Sequence, residues 1–205
     1  MKWDKYQGLF GLFIVCTLTL ASVYILVYSW PKYEERFIAM GILGRNGKAE
    51  DYYPKNDSSI QVGDQVYWYI YVYNHWDKVQ NVSIMVKILN STTPPPNDLK
   101  DESSPASPIL EIRLLLNENE TRLVPFFWHV EDAEIRKNVT VINKLVINEK
   151  TISLNVYGKP DSFFRIIFEL WIFNEETGSF EYGWHSKEIH YCVWNGMRFD
   201  VTSPA

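Results

Sequence analysis

Two cysteines in 205 residues exclude a disulfide framework. Cys16 lies in an apolar run and Cys192 near the C-terminus, so one belongs in lipid and the other in a folded exterior, too far apart to bond. Basic residues are also sparse. Twenty Lys and Arg against 25 Asp and Glu leave a formal charge of -5. That balance excludes nucleic acid as a partner, because phosphates need a basic surface. Catalytic signatures are missing too: no GxSxG, HExxH, paired CxxC, phosphate-binding loop or dinucleotide fingerprint occurs. The acidic pairs Glu131-Asp132 and Glu175-Glu176 are expected in turns, where adjacent side chains do not converge on a substrate as acid and base must. The chain reads as neither an enzyme nor a cofactor carrier.

One long apolar run is present. "GLFGLFIVCTLTLASVYILVYSW", residues 8–30, contains no charge. As a helix it covers roughly 34 Å, against about 30 Å of bilayer hydrocarbon. Trp3 and Tyr6 mark one margin, and Tyr28, Trp30 and Tyr33 the other, as interfacial belts do. Pro31 ends the helix. The run continues past Ala21, longer than the apolar core of a signal peptide, so a retained anchor is expected. Lys2 and Lys5 place residues 1–7 in the cytoplasm and 31–205 outside, by the positive-inside rule.

Five N-glycosylation sequons agree with that address: Asn56, Asn81, Asn90, Asn119 and Asn138. Random placement of 14 Asn and 23 Ser plus Thr would give about 1.6. None falls in the span or the stub. Glycans without disulfides suit an archaeal surface better than an animal secreted module.

The exterior part reads as roughly ten short β runs at about 12-residue spacing with no further helix. The fold class is therefore mainly β: a single transmembrane helix followed by an antiparallel immunoglobulin-like β-sandwich. Two smaller sandwiches meeting near Glu131–Lys137 are the alternative. Residues 90–108, rich in Pro, Ser and Asp, have no apolar period and are expected to form a mobile, exposed loop. In "VYWYIYVYNHW" alternation assigns Val66, Trp68, Ile70 and Val72 to the core and Tyr67, Tyr69, Tyr71 and Tyr73 to the other face. Tyrosine favours strands for ordinary reasons. It is also enriched at interfaces, which makes the row a candidate contact surface.

His185, His190, Cys192 and Met197 are the soft ligand types of exported copper sites. Yet "CVWNGM" lacks the histidine that a blue-copper loop carries between its cysteine and methionine. His75 or His129 would have to supply it from another strand. No metal is expected, and Cys192 reads as a buried free thiol.

Leu43-Gly44, Gly47-Lys48-Ala49, Tyr53-Pro54, Val62-Gly63, Asn74-His75 and the run "FELWIF" (168–173) carry a resemblance. Over most of residues 37–175 the chain is similar to an uncharacterised archaeal domain-of-unknown-function family of membrane-anchored proteins with a β-rich exterior domain. The tail "GWHSKEIHYCVWNGMRF" lies outside it. The resemblance implies an anchored surface module and no activity. The resulting expectation is a non-enzymatic accessory or structural subunit of the cell membrane. It would dock a glycosylated domain on other membrane-protein subunits or on surface-layer protein. The alternatives are an extracellular ligand- or sugar-binding module and a copper-handling accessory protein.

Overall fold

Residues 8–29 are apolar on every side, and they form one continuous helix, α1 (Asp4–Ser29). In this computed structural model the residues described are 4–29, 36–137, 139–159, 163–186, 189–191 and 193–202. The segment Gly8–Ser29 is long and apolar enough to cross a membrane. Three of its hydroxyls are satisfied within the helix. Thr17, Thr19 and Ser22 donate to the carbonyls of Phe13, Val15 and Leu18, four residues back.

Residues 36–205 form a separate compact unit, mainly β. Its strands are β1 (Phe37–Leu43), β2 (Ser59–Gln61), β3 (Val66–His75), β4 (Gln80–Leu89), β5 (Leu110–Leu116), β6 (Thr121–Arg136), β7 (Val139–Ile147), β8 (Lys150–Gly158), β9 (Phe164–Asn174), β10 (Ser179–Glu181), β11 (Trp184–Ser186), β12 (Ile189–Tyr191) and β13 (Val193–Thr202). One sheet runs β1-β3-β6-β7-β8, the second β2-β13-β9-β4-β5 with β10 on β9, and β11-β12 form a small ribbon.

Period-two alternation drives both sheets. On β3, Val66, Trp68, Ile70 and Val72 are buried while Tyr67, Tyr69, Tyr71 and Tyr73 are half-buried on the opposite face. The inward residues of the two sheets share one core. Trp68 and Phe126 of the first sheet meet Phe168 of the second at ring distances of 6.3 and 4.9 Å, and Trp128 meets Phe199 at 4.9 Å. Truncating one such ring to alanine costs about 3–5 kcal/mol. Asn74, wholly buried, ties the ends together. Its Nδ2 donates to the carbonyls of Lys78 (3.0 Å) and Asn117 (2.9 Å), and its Oδ1 accepts from Trp76 N–H (3.1 Å).

Two expectations change. The pairing is not wholly antiparallel, because β2 lies parallel to β13. The three-residue β2 borders the second sheet before the Gly63-Asp64 turn sends the chain into β3 of the first. No junction between two sandwiches exists at Glu131–Lys137. β6 runs through that segment with a bulge between Val130 and Ala133, so Glu131-Asp132 sits in a strand rather than a turn. Residues 90–108 are irregular and mostly exposed, and within them Ser104 is 2% exposed.

Candidate functional site

The outer face of the first sheet is built by register. Tyr67, Tyr69, Tyr71 and Tyr73 lie opposite Phe127, Pro125, Leu123 and Thr121 of β6. On the other side, Tyr69, Tyr71 and Tyr73 face Leu43, Gly41 and Ala39 of β1, and His75 faces Phe37. Tyr67 and Tyr69 meet Phe127 edge-on at 5.3 and 5.7 Å, and Phe37 lies tilted 4.8 Å from His75. The Tyr73 hydroxyl lies 2.9 Å from His75 Nδ1. Small residues on β1 leave this face open, since a Cβ added at Gly41 would meet no atom within 4 Å. Leu123 is 49% exposed. The surface is rich in aromatic rings and tyrosine hydroxyls, and tyrosine is a residue type enriched at contact surfaces.

Tyr67 also belongs to a cleft of about 460 Å³ shared with Arg45, Asn46, Asp51, Tyr52 and Lys55. That volume falls within the range of small-molecule sites. The wall is the 44–57 loop. Gly44 is required there, because a Cβ would fall 1.9 Å from the Glu50 carbonyl oxygen. Asp51, Lys55 and Asn56 hold φ of 53°, 58° and 56°, a region that costs L-residues roughly 1–2 kcal/mol each. Core contacts compensate. Trp68 Nε1 donates to the Tyr52 carbonyl at 2.6 Å, and the Tyr53 hydroxyl donates to the Arg198 carbonyl. Burial first, and Asp200 second, push the Tyr53 hydroxyl well above its ordinary value, so it stays a donor. The Arg45 guanidinium lies 5.1 Å over the Tyr67 ring. The 44–57 loop is thus a cleft wall.

A third cluster was not read from the sequence. Lys87 on β4 and Glu169 on β9 are almost wholly buried and pair at 2.8 Å. Lys87 Nζ also donates to the Ser104 carbonyl at 2.6 Å. Glu169 accepts from Ser104 N–H at 2.8 Å and from Trp171 Nε1 at 3.1 Å. Every partner of the pair is fixed, so it clasps segment 90–108 to the second sheet rather than offering free acid or base.

Chain comparison adds little to this geometry. No family model matches the chain, and no curated protein matches it significantly. Among solved structures it is similar to a beta-glucosidase from Listeria innocua, at 9% identity and a TM-score of 0.32. That alignment covers 59% of this chain and 16% of the glucosidase.

The remaining sequence candidates lie largely outside the described residues. His185 and His190 occupy backbone-paired positions on the β11-β12 ribbon, but their side chains, and Cys192, lie outside the described residues. Met197 is half-buried against the core. Among the described residues no group of three or more His, Cys, Asp or Glu is placed to hold a metal. Asn56, Asn81 and Asn119 are exposed, Asn90 is half-buried, and Asn138 lies outside the described residues.

Proposed function

We propose that the chain is a non-enzymatic, single-pass membrane protein of an archaeal surface, with residues 1–7 in the cytoplasm and 31–205 outside. Its exterior domain is an N-glycosylated immunoglobulin-like β-sandwich that docks on other membrane-protein subunits or on surface-layer protein. The anchor supplies lipid affinity and the tyrosine face supplies contact area. The observation that carries this reading is the open aromatic face of the first sheet: four half-buried tyrosines in one row, with Phe127 and Leu123 beside them.

Strand order supports the sandwich type. β3 lies beside β6, as strand B lies beside E in immunoglobulin domains, and β4-β9-β13 follow the order C-F-G. β2 and the β7-β8 hairpin are additions to that plan. The family resemblance and the sequons support the address.

Mild-detergent extraction with native mass analysis tests the reading. Stable co-purification with other membrane subunits is expected, and Tyr69→Ser/Tyr71→Ser should abolish it while the domain stays folded. A monomer from which the double substitution removes nothing would refute docking through this face. The second reading, a ligand- or sugar-binding module, draws on the 460 Å³ cleft beside Tyr67. It calls for a small molecule retained by the native protein and lost on Arg45→Ala.

A further inference from the structure

Seven arginines occur in the sequence, and four meet a carboxylate: Arg36 with Asp77, Arg113 with Glu111, Arg122 with Glu120, and Arg136 with Glu134. Arg45 stacks on Tyr67. The remaining two face each other. Arg165 on β9 and Arg198 on β13 are direct register partners on the outer face of the second sheet. Like charges directly opposite across a sheet destabilise it, and among the described residues neither guanidinium has a carboxylate within ion-pair distance.

The pair is held in place. Both guanidinium carbons lie over the Phe163 ring, Arg165 at 5.6 Å and Arg198 at 4.2 Å. The Arg165 stem crosses Gly196, where a Cβ would lie 3.2 Å from its Cδ and 2.7 Å from Ile167 Cγ2. A glycine thus makes room for the stem. Burial first, and Arg198 second, pull the Arg165 guanidinium below its ordinary value, the mark of a cation short of compensation. Beside Arg165 and Phe163 opens a hollow of about 80 Å³ closed by Asn90, Ser91, Thr93 and Pro95. At about 30 Å³ of liquid volume per water, it has room for a few waters or one small polyatomic ion.

We propose that Arg165 and Arg198 form a clasp for a tetrahedral oxyanion, a sulfate or phosphate group that is either free or esterified to a sugar. Guanidinium forks match the oxygens of such groups. An incoming dianion removes the repulsion between the two cations, so binding and folding are coupled. The clasp stands independently of the tyrosine face, and its test needs no protein partner.

The test is thermal unfolding of the full chain in detergent, in sulfate, in phosphate and in chloride at matched ionic strength. Sulfate or phosphate should raise the wild-type midpoint above that in chloride. Arg165→Gln and Arg198→Gln should cut the apparent affinity at least tenfold. In chloride the same variants should match or exceed the wild-type midpoint, because one of two repelling charges has gone. N-acetylglucosamine 6-sulfate distinguishes the sources. Tighter binding than inorganic sulfate assigns the group to a sugar ester, and equal binding to the free ion; both uphold the clasp. Where a variant fails to fold, the Nε–Hε resonance of Arg165 in the wild type, titrated with sulfate, replaces it and should shift saturably. Equal sulfate response in wild type and variants, or a wild type indifferent to sulfate over chloride, overturns the proposal.

Discussion

At Lys87 one side chain holds a whole segment. Its ammonium sits between Glu169 and the Ser104 carbonyl, out of water. Removing one member of a buried pair leaves the other uncompensated, which costs about 3–5 kcal/mol. Lys87→Met should therefore destabilise by that amount in denaturant unfolding and open residues 90–108 to protease. Lys87→Met/Glu169→Leu should recover most of the loss, because the lone buried charge has gone too. The cluster was half-legible. In "VSIMVKIL" the face that carries Lys87 also carries Met85 and Leu89, and in "FELWIF" Glu169 has Trp171 beside it. Apolar residues on both faces signal a strand covered on both sides. What covers them is a Ser/Pro segment whose composition gives no hint of docking.

Asp200 carries a pH signature of opposite sign to that of Glu111, Glu120 and Glu181. Burial, and then the neighbouring Asp57, hold its carboxyl above the ordinary aspartate value. Between the unfolded and the raised folded value the native state holds more protons, so stability falls as pH rises through that window and is fullest below it. Asp200→Asn should thus raise the unfolding midpoint at pH 7, and the gain should fade as pH drops below the ordinary aspartate value. Glu111, Glu120 and Glu181 run the other way. Arg113, the Asn117 N–H and the Thr177 hydroxyl respectively lead the causes that lower them. Their contribution is present above the ordinary carboxylate value and is lost as pH falls through the lowered one. The readout is therefore the difference curve between wild type and variant, where the glutamates cancel.

Among the elements, β3 was the most legible, since ten alternating residues leave one way to face a core. The parallel β2-β13 pair was not, because a three-residue strand has no period and its partner lies about 140 residues away. Turns show the same divide. Asn90 and Asn119 look alike as sequons but differ as elements. Asn90 Nδ2 donates to the Tyr157 carbonyl at 2.9 Å, and its Oδ1 accepts from the N–H groups of Thr92 and Thr93 at 3.0 and 2.9 Å. This amide is a structural cap over the turn after β4. Asn119 is exposed in the β5-β6 turn with φ of 53°. Asn90→Gln should cost about 1–2 kcal/mol and leave the intact mass of the native protein unchanged apart from the substitution. Asn119→Gln should remove one glycan's mass and barely move stability. Loss of a glycan mass in Asn90→Gln would refute the distinction.

At the scale of the molecule, the chain divides into an apolar helix long enough to cross a membrane and a compact β unit. The helix was readable because its signal is local and additive: residues 8–29 form one apolar run without a charge. The pairing of the sheets was less readable, because contacts such as Trp68 with Phe168 join residues a hundred apart, and no local period encodes which strand meets which. Among the described residues, the core cluster lies between Ile38 and Val201. Core burial sets the stability of a β domain, so the domain owes its fold to its own sheets. Residues 36–205 expressed without the helix should accordingly be soluble and unfold in one cooperative transition. The midpoint should lie within a few degrees of that of the full chain in detergent. The fluorescence of buried Trp68 and Trp128 should remain blue-shifted as in the full chain. A shortened protein with exposed tryptophans and no cooperative transition would show that the helix contributes to the fold as well as to the anchor.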